Sequence, residues 1–155
     1  MVAKTPRAFT PTEERIGSVV VKVMSNLNTW IYRASGGRIG GRFLRGAPVL
    51  LLNTTGRKSG QTRTAPLLYL EDGDRYVVVA SKGGMSHHPL WFRNLEASPL
   101  VEVEIGRRKL PMTARRATTS EKETLWPRLV AMYRDYADYQ ARTERDIPVV
   151  ILTPR

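Results

Sequence analysis

Apolar residues recur at Ile16, Val19, Val20, Val23, Met24, Leu27, Trp30 and Ile31, the three- and four-residue spacing of one helix face. Thr10 as N-cap, Pro11 in the first turn and Glu13 closing a capping box mark where this helix starts, and Ser35-Gly36-Gly37 marks where it ends. Lys22, Asn26, Asn28 and Arg33 lie off the stripe, so the helix is amphipathic. Two readings stay open: a helix packed on the body of its own domain, or one lying on a membrane surface with Trp30 and Tyr32 as interfacial anchors.

Beyond a glycine- and arginine-rich connection over 36–46 the pattern turns strand-like. Strands are expected over 49–53, 62–71 and 75–80, the last two joined by the hairpin signal Asp72-Gly73-Asp74. A short helix is expected over 89–97, between Pro89 and Pro99, followed by the alternating strand 100–105 and its partner 107–116 after Gly106. A further helix opens near Ser120 with Glu123 in a capping box. Pro127 is expected to interrupt it before a second stretch to about residue 140, and 147–152 reads as a last strand. Hairpin-linked strands with few long crossovers predict an antiparallel barrel with helices packed around it.

A chain of 155 residues suits one domain over 1–155, with residues 1–10 as a disordered tail and the amphipathic helix over 11–35. Cysteine is absent, which excludes disulfides and thiolate metal sites. With no apolar leader or membrane-length run, the expected location is cytoplasmic, at most peripheral on the inner face of the membrane. The formal net charge of +11 calls for an anionic partner: a polyanionic cofactor, an anionic lipid surface or nucleic acid. The cations cluster at Arg38, Arg42 and Arg45, at Arg57, Lys58 and Arg63, around Lys82, and at Arg107, Arg108 and Lys109, and clusters beside glycines fit a ligand groove at least as well as a nucleic-acid stripe.

The densest cluster is Thr54-Thr55-Gly56-Arg57-Lys58-Ser59-Gly60-Gln61-Thr62-Arg63, between two strands and therefore a hairpin tip. It is either an ordinary solvated turn or a grip for a phosphorylated or carboxylated ligand. Neither it nor Gly36-Gly37-Arg38-Ile39-Gly40-Gly41 has the spacing and context of a nucleotide-binding glycine loop. The adjacent His87 and His88 are poorly spaced for a metal and have no carboxylate nearby in sequence, and no Ser/His/Asp framework surrounds Ser59 or Ser81. Ala80-Ser81-Lys82-Gly83-Gly84 ends a buried strand and presents either a plain turn or exposed amides to a ligand. Tyr133, Tyr136 and Tyr139, at steps of three, form either a packing stripe or the rim of a cleft, where a neutral phenol would donate a hydrogen bond or a proton.

Taken in order, Leu27-Asn28-Thr29-Trp30-Ile31-Tyr32-Arg33, Thr54 to Gln61, Ala80 to Gly84, Pro89-Leu90-Trp91-Phe92-Arg93-Asn94-Leu95 and Met132-Tyr133-Arg134-Asp135-Tyr136-Ala137-Asp138-Tyr139 resemble the deazaflavin-dependent nitroreductase family of actinobacteria, over nearly the whole chain. The resemblance implies an α+β, mainly β fold, the split β-barrel of flavin-mononucleotide oxidoreductases. It also implies coenzyme F-420, an 8-hydroxy-5-deazaflavin with a phosphodiester and an oligoglutamate tail. On the matched motifs, Arg57, Lys58, Ser59 and Arg63 would meet the phosphate and tail. Thr64, Ala65, Pro66, Leu67 and Leu68, with Val79, Ala80, Ser81 and Lys82, would frame the deazaflavin and its ribityl chain, and Leu90, Trp91, Phe92, Arg93 and Asn94 would complete the cofactor site.

By the same resemblance Tyr136 would face the open side of the ring with Tyr133 and Tyr139 nearby, and Tyr136 or Ser81 would orient or protonate the acceptor. The implied reaction is hydride transfer from the reduced deazaflavin to an electron-poor acceptor: a quinone such as menaquinone, a nitroaromatic or a conjugated lactone. Menaquinone would also give the first helix a membrane to lie on. Leu68 stands where some nitroimidazole-reducing members carry tyrosine, and His87-His88 has no part in the pattern. Two other classes compete: a basic nucleic-acid-binding barrel, disfavoured because the aromatics fall on helices, and a flavin- or haem-binding barrel.

Overall fold

The computed structural model describes residues 6–42 and 46–155; Arg45 and residues 1–5 of the expected tail lie outside them. The first element is α1 (Pro11–Ser35), capped by Thr10, whose hydroxyl accepts from the Glu13 amide while the Glu13 carboxylate accepts from the Thr10 amide. Gly36, at φ 63°, closes it in the left-handed conformation. Arg7 pairs with Glu13, so the lead-in before the helix is tied to its first turn.

Seven strands follow: β1 (Val49–Thr55), β2 (Thr62–Leu68), β3 (Leu70–Asp72), β4 (Arg75–Val79), β5 (Leu100–Ile105), β6 (Arg108–Arg116) and β7 (Val149–Pro154). Between them lie α2 (Leu90–Ala97), α3 (Thr119–Met132) and α4 (Asp135–Arg142). The sheet order is β2-β1-β5-β6-β7-β4-β3. The expected single strand over 62–71 is two strands at opposite edges of the sheet, hinged at Tyr69. Its amide donates to Pro48 O, and its ring packs edge-on against Tyr76. Because consecutive residues occupy both edges, the sheet must curl, and the result is the split barrel. Pro66 sits in β2, an edge strand with one free side, where a missing N–H costs no ladder bond.

Alternation along β1 divides the barrel. Leu50 and Leu52 point into an inner core with Val78, Phe92, Val103, Met112 and Val150, whereas Val49 and Leu51 point outward to Tyr32 and Leu68. A second outer cluster joins Val77, Val79, Val149 and Ile151 to Leu125 and Leu129 on α3, Tyr133 just after it and Tyr136 on α4.

Three boundaries differ from the sequence pattern. The α3 capping box is Thr118 with Glu121, not Ser120 with Glu123. Its Glu121 also binds Arg115 through two hydrogen bonds, a tertiary partner that selects this start. Pro127 lies inside α3 without ending it. It and Glu123, the residue whose carbonyl loses its helical donor, both lie on the exposed side of the helix, where water can reach that carbonyl. The break falls instead at Tyr133, which ends α3 in extended backbone.

The largest departure concerns α1. Its apolar stripe does not pack on the barrel: Ile16, Val19, Val20, Val21, Val23, Met24, Leu27 and Trp30 are all at least half exposed, Trp30 to 69%. Glu14, Thr29 and Tyr32 are buried instead. The helix is held at its two ends by polar contacts, and the stripe between them faces away from the body.

Candidate functional site

The hairpin tip between β1 and β2 is ordered by its own backbone. The Gly60 amide donates to Gly56 O, the Gly56 amide to Gln61 O, and the Ser59 hydroxyl accepts from the Gln61 amide. Arg57, Lys58 and Arg63 are exposed, and none has an acidic partner among the described residues. The tip is anchored to α2 by Asn94, whose Oδ1 accepts from the Arg57 amide at 3.2 Å and whose Nδ2 donates to Thr54 Oγ1 at 3.2 Å. Asn94 is 6% exposed, so its side chain aims the hairpin from beneath.

From α2 the site continues to the turn after β4. Lys82–Gly84 is a single 3-10 turn that follows Ser81. Lys82 has φ 44°, the one non-glycine residue with positive φ among those described. Its ammonium lies 2.7 Å from His87 Nε2, and burial, with Arg93 and Arg145 nearby, lowers its pKa against the pull of Glu14. Gly84 meets α4 so closely that a Cβ there would fall 2.6 Å from Tyr139 O.

The first helix reaches the same turn. The Glu14 carboxylate accepts from the Ser86 amide at 2.6 Å and the Ser86 hydroxyl at 2.8 Å, with His87 Nδ1 at 3.4 Å. Burial opposes its ionisation, but the Ser86 hydrogen bonds and the His87 and Lys82 charges outweigh it and hold Glu14 below the usual carboxylate range. At the other end of α1, Arg33 binds Glu104 through Nε and Nη2 and also reaches Asn53 and Thr64. Tyr32 receives the Gly106 amide on its hydroxyl.

Between these anchors α1 spans the outer face of β2, where Thr64, Pro66 and Leu68 are partly buried opposite Asn53, Leu51 and Val49. Leu68 touches both the Tyr32 cluster and the α3/α4 cluster, so it lies between α1 and the packing of α3 and α4 on the sheet. Ala65 and Leu67 alternate with them, and Leu67 packs on the inner core.

The structure therefore brings together the hairpin tip, β2, the Ser81 turn, α2 and α4. It does not expose every residue expected there. Phe92, Val79 and Ala80 are buried and support the site by packing. Trp91 is half-buried, while Leu90 and Arg93 are open to solvent. Tyr133 and Tyr136 are buried, with Tyr133 and Tyr139 hydroxyls 3.2 Å apart. Burial, with Tyr139 beside it, raises the Tyr136 pKa and keeps the phenol neutral. Thr29 Oγ1 is the one fully enclosed side-chain polar atom without a partner among the described residues. The Tyr136 hydroxyl, also without a protein partner there, consequently keeps contact with solvent. The Ser81 hydroxyl is half-exposed and likewise uncommitted.

Sequence reasoning missed Glu14, Arg33, Glu104 and Arg145. Each acts on residues far away in the chain, and a charge on a helix or loop carries no mark of its partner. His87 and His88, given no role, both have partners here: His87 meets Lys82 in the turn, and His88 meets Arg145, which itself binds the turn's carbonyls. No group of three or more His, Asp or Glu suited to a metal occurs among the described residues.

Residues 24–154 match the family described as F-420H(2)-dependent quinone reductase. An F-420H(2)-dependent quinone reductase of Mycobacterium tuberculosis is 43% identical over 134 residues, covering 83% of this chain and 89% of the relative. Among solved structures, an F-420-H2 dependent reductase is 45% identical with a TM-score of 0.63, over 68% of this chain and 93% of that one. A second, described as a domain-swapped dimer, is 41% identical with a TM-score of 0.65, over 82% of this chain and 94% of that one. The fold alone is shared with a haem storage protein of Vibrio cholerae, 15% identical with a TM-score of 0.52 over 69% of this chain and 81% of that one. The extent and identity of these matches place the chain in the F-420H(2)-dependent quinone reductase family.

Proposed function

We propose that this chain reduces a quinone with reduced coenzyme F-420, held in the groove between the cationic hairpin, the outer face of β2 and the Ser81 turn. The observation that carries the reading is the exposed, unpaired set Arg57, Lys58 and Arg63, fixed over α2 by Asn94. The group implied by the family is long, polyanionic at one end and flat at the other. The residues suit both ends: three cations at the tip without an acidic partner among the described residues, and the apolar Pro66 and Leu68 of β2, beneath α1, further along. The bound deazaflavin would supply a hydride, and one hydride plus one proton converts a quinone to its hydroquinone.

The protein's own contribution is placement. The tip holds the phosphate and carboxylate tail by charge-assisted hydrogen bonds. Ser81, Lys82 and the amides around them face the ring region, with Thr64, Ala65 and Leu67 fixing the β2 backbone beside it. Leu68 and the tyrosine cluster border the place left for the acceptor. The neutral Tyr136 phenol or the Ser81 hydroxyl would orient the acceptor oxygen and pass it the single proton, which solvent then replaces. Flat nitroaromatics and conjugated lactones are further acceptors of the same electron-poor class, with menaquinone the acceptor we favour.

Fluorescence titration with oxidised F-420 tests the reading, and absence of binding at micromolar concentration would refute it. Arg57→Ala and Lys58→Ala are each expected to weaken binding about tenfold, the worth of roughly one charge-assisted contact, and to leave saturated turnover nearly intact.

A second reading rests on the exposed stripe of α1. An apolar helix face of this extent is unusual on a free surface. We propose that it lies on an anionic membrane, where a lipid-soluble quinone resides: Trp30 sits at one end of the stripe, Arg15 and Lys22 are exposed on the same helix, and the net charge is +11. No helix among the described residues is long and apolar enough to cross a membrane. Co-sedimentation with phosphatidylglycerol vesicles is expected to fall several-fold in Val19→Ser/Val23→Ser. An unchanged bound fraction would refute the membrane reading, and a shift from dimer to monomer without vesicles would point to a second copy as the stripe's occupant instead.

A further inference from the structure

Arg145 lies in the segment between α4 and β7, and nothing in the chain's pattern marks it. Its guanidinium nevertheless donates to three carbonyls of one turn: Nη1 to Ala80 O at 3.2 Å, Nη2 to Ser81 O at 2.7 Å and Nε to Met85 O at 2.8 Å. Arg142 adds a bond to Gly83 O at 2.9 Å. With these carbonyls gathered on one side, the amides of Ser81, Lys82 and Gly83 have no carbonyl partner among the described residues. Ser81 is right-handed, and Lys82 and Gly83 have φ of 44° and 63°. Such a succession turns consecutive N–H groups toward one point, a concavity that takes an anionic or carbonyl oxygen. The positive φ of Lys82 is strained for a residue with a side chain and persists only where the surroundings enforce it.

We propose that Arg145 is the positioning residue of this turn: by holding the Ala80, Ser81 and Met85 carbonyls it presents the Ser81–Gly83 amides as a nest for an oxygen of the bound cofactor. The proposal rests on the reading that this turn frames F-420. A guanidinium does this where an ammonium does not, because its planar fork reaches several carbonyls at fixed angles.

The fork has a titratable neighbour. His88 Nδ1 lies 3.0 Å from Arg145 Nη1, so the imidazole accepts there and must be neutral at that nitrogen. Around His88 stand Arg93 and Glu96 from α2, Arg116 from β6 and Arg145 itself, and the Phe92 ring lies edge-on at 4.9 Å. Burial first, then Arg145 and Arg116, lowers the His88 pKa from its ordinary 6.5. The contribution of a group depressed in this way is present above 6.5 and is lost as pH falls through the folded value. The turn should therefore loosen on acidification.

The test compares Arg145→Gln, Arg145→Lys, His88→Gln and, as a control away from the turn, Arg115→Gln, which breaks only the exposed pair with Glu121. Amide hydrogen exchange is measured without ligand at Gly84 and Met85, whose amides donate to Ser81 O and Lys82 O, and affinity for oxidised F-420 by fluorescence. Both Arg145 variants should exchange at least tenfold faster at these two amides and bind at least tenfold more weakly, with the Arg115 control unchanged. His88→Gln, whose amide oxygen accepts at any pH, should flatten the loss of affinity as pH falls below 6.5 relative to the parent protein, by at least threefold. Unaltered exchange and affinity in Arg145→Lys would overturn the proposal, and that variant decides should Arg145→Gln fail to fold. If the parent protein itself does not bind F-420, the functional reading fails, while the exchange data still judge whether Arg145 sets the turn.

Discussion

Gly84→Ala is expected to lower the melting temperature by about 6–12 °C, corresponding to about 3 kcal/mol in a domain of this size, and to weaken F-420 binding at least tenfold. Two costs add at this residue. Its φ of 79° is left-handed, which costs an alanine about 1 kcal/mol. The added methyl would also lie 2.6 Å from Tyr139 O and 2.9 Å from Tyr139 Cα, both backbone atoms with no rotamer to yield. Relieving that overlap by moving α4 off the turn adds about 2 kcal/mol, in the range of an overpacked core. Gly73→Ala separates the two costs, because Gly73 has φ 65° but nothing within 4 Å of the added carbon. Equal melting shifts in the two variants, measured by calorimetry, would show that the contact with α4 is not tight.

Arg33→Met should cost about 3 kcal/mol, the low end for removing one partner of a buried ion pair. The low end applies because the Arg33 side chain is 47% exposed, whereas that of Glu104 is 8% exposed. Burial by itself would push the Glu104 pKa up; hydrogen bonds from Arg33 and Asn53 outweigh it and hold the carboxyl below its usual value. The parent protein therefore keeps this contribution above pH 4.5 and loses it as pH falls through the depressed pKa. In Arg33→Met burial is opposed only by Asn53 and the Lys109 charge, so the carboxyl is easier to protonate and the deficit against the parent should shrink below pH 4.5. Adding Glu104→Gln to Arg33→Met should restore part of the stability at neutral pH. A double variant no more stable than Arg33→Met would show that no unpaired charge is left behind.

The sequence pattern located most elements to within two residues and the site's motifs in order. Where it went astray, a distant residue had decided the outcome. Ser120 and Glu123 have the right chemistry for a capping box, yet Arg115 on β6 binds Glu121 and selects the frame two residues earlier. The strand over 62–71 reads as continuous because a corner at Tyr69 needs no glycine or proline, only a hydrogen bond to Pro48 and a buried ring. The cationic hairpin was legible because its residues are adjacent. The Arg145 fork was not, since it joins residue 145 to carbonyls at 80, 81 and 85.

The sequence by itself determined what is local: the capped amphipathic helix, the strand periods, the positive hairpin and, through its ordered motifs, the family and its cofactor. These follow from backbone preference and side-chain spacing within a few residues. Only the tertiary structure decided which way α1 turns its apolar stripe, which carbonyls Arg145 collects and which tyrosines are buried. The reason is physical. A stripe of Ile, Val and Trp prefers burial without naming a partner, whereas Glu14, Arg33 and Tyr32 have directional bonds to one turn, one carboxylate and one amide. Those bonds orient the helix, and they leave the stripe facing outward.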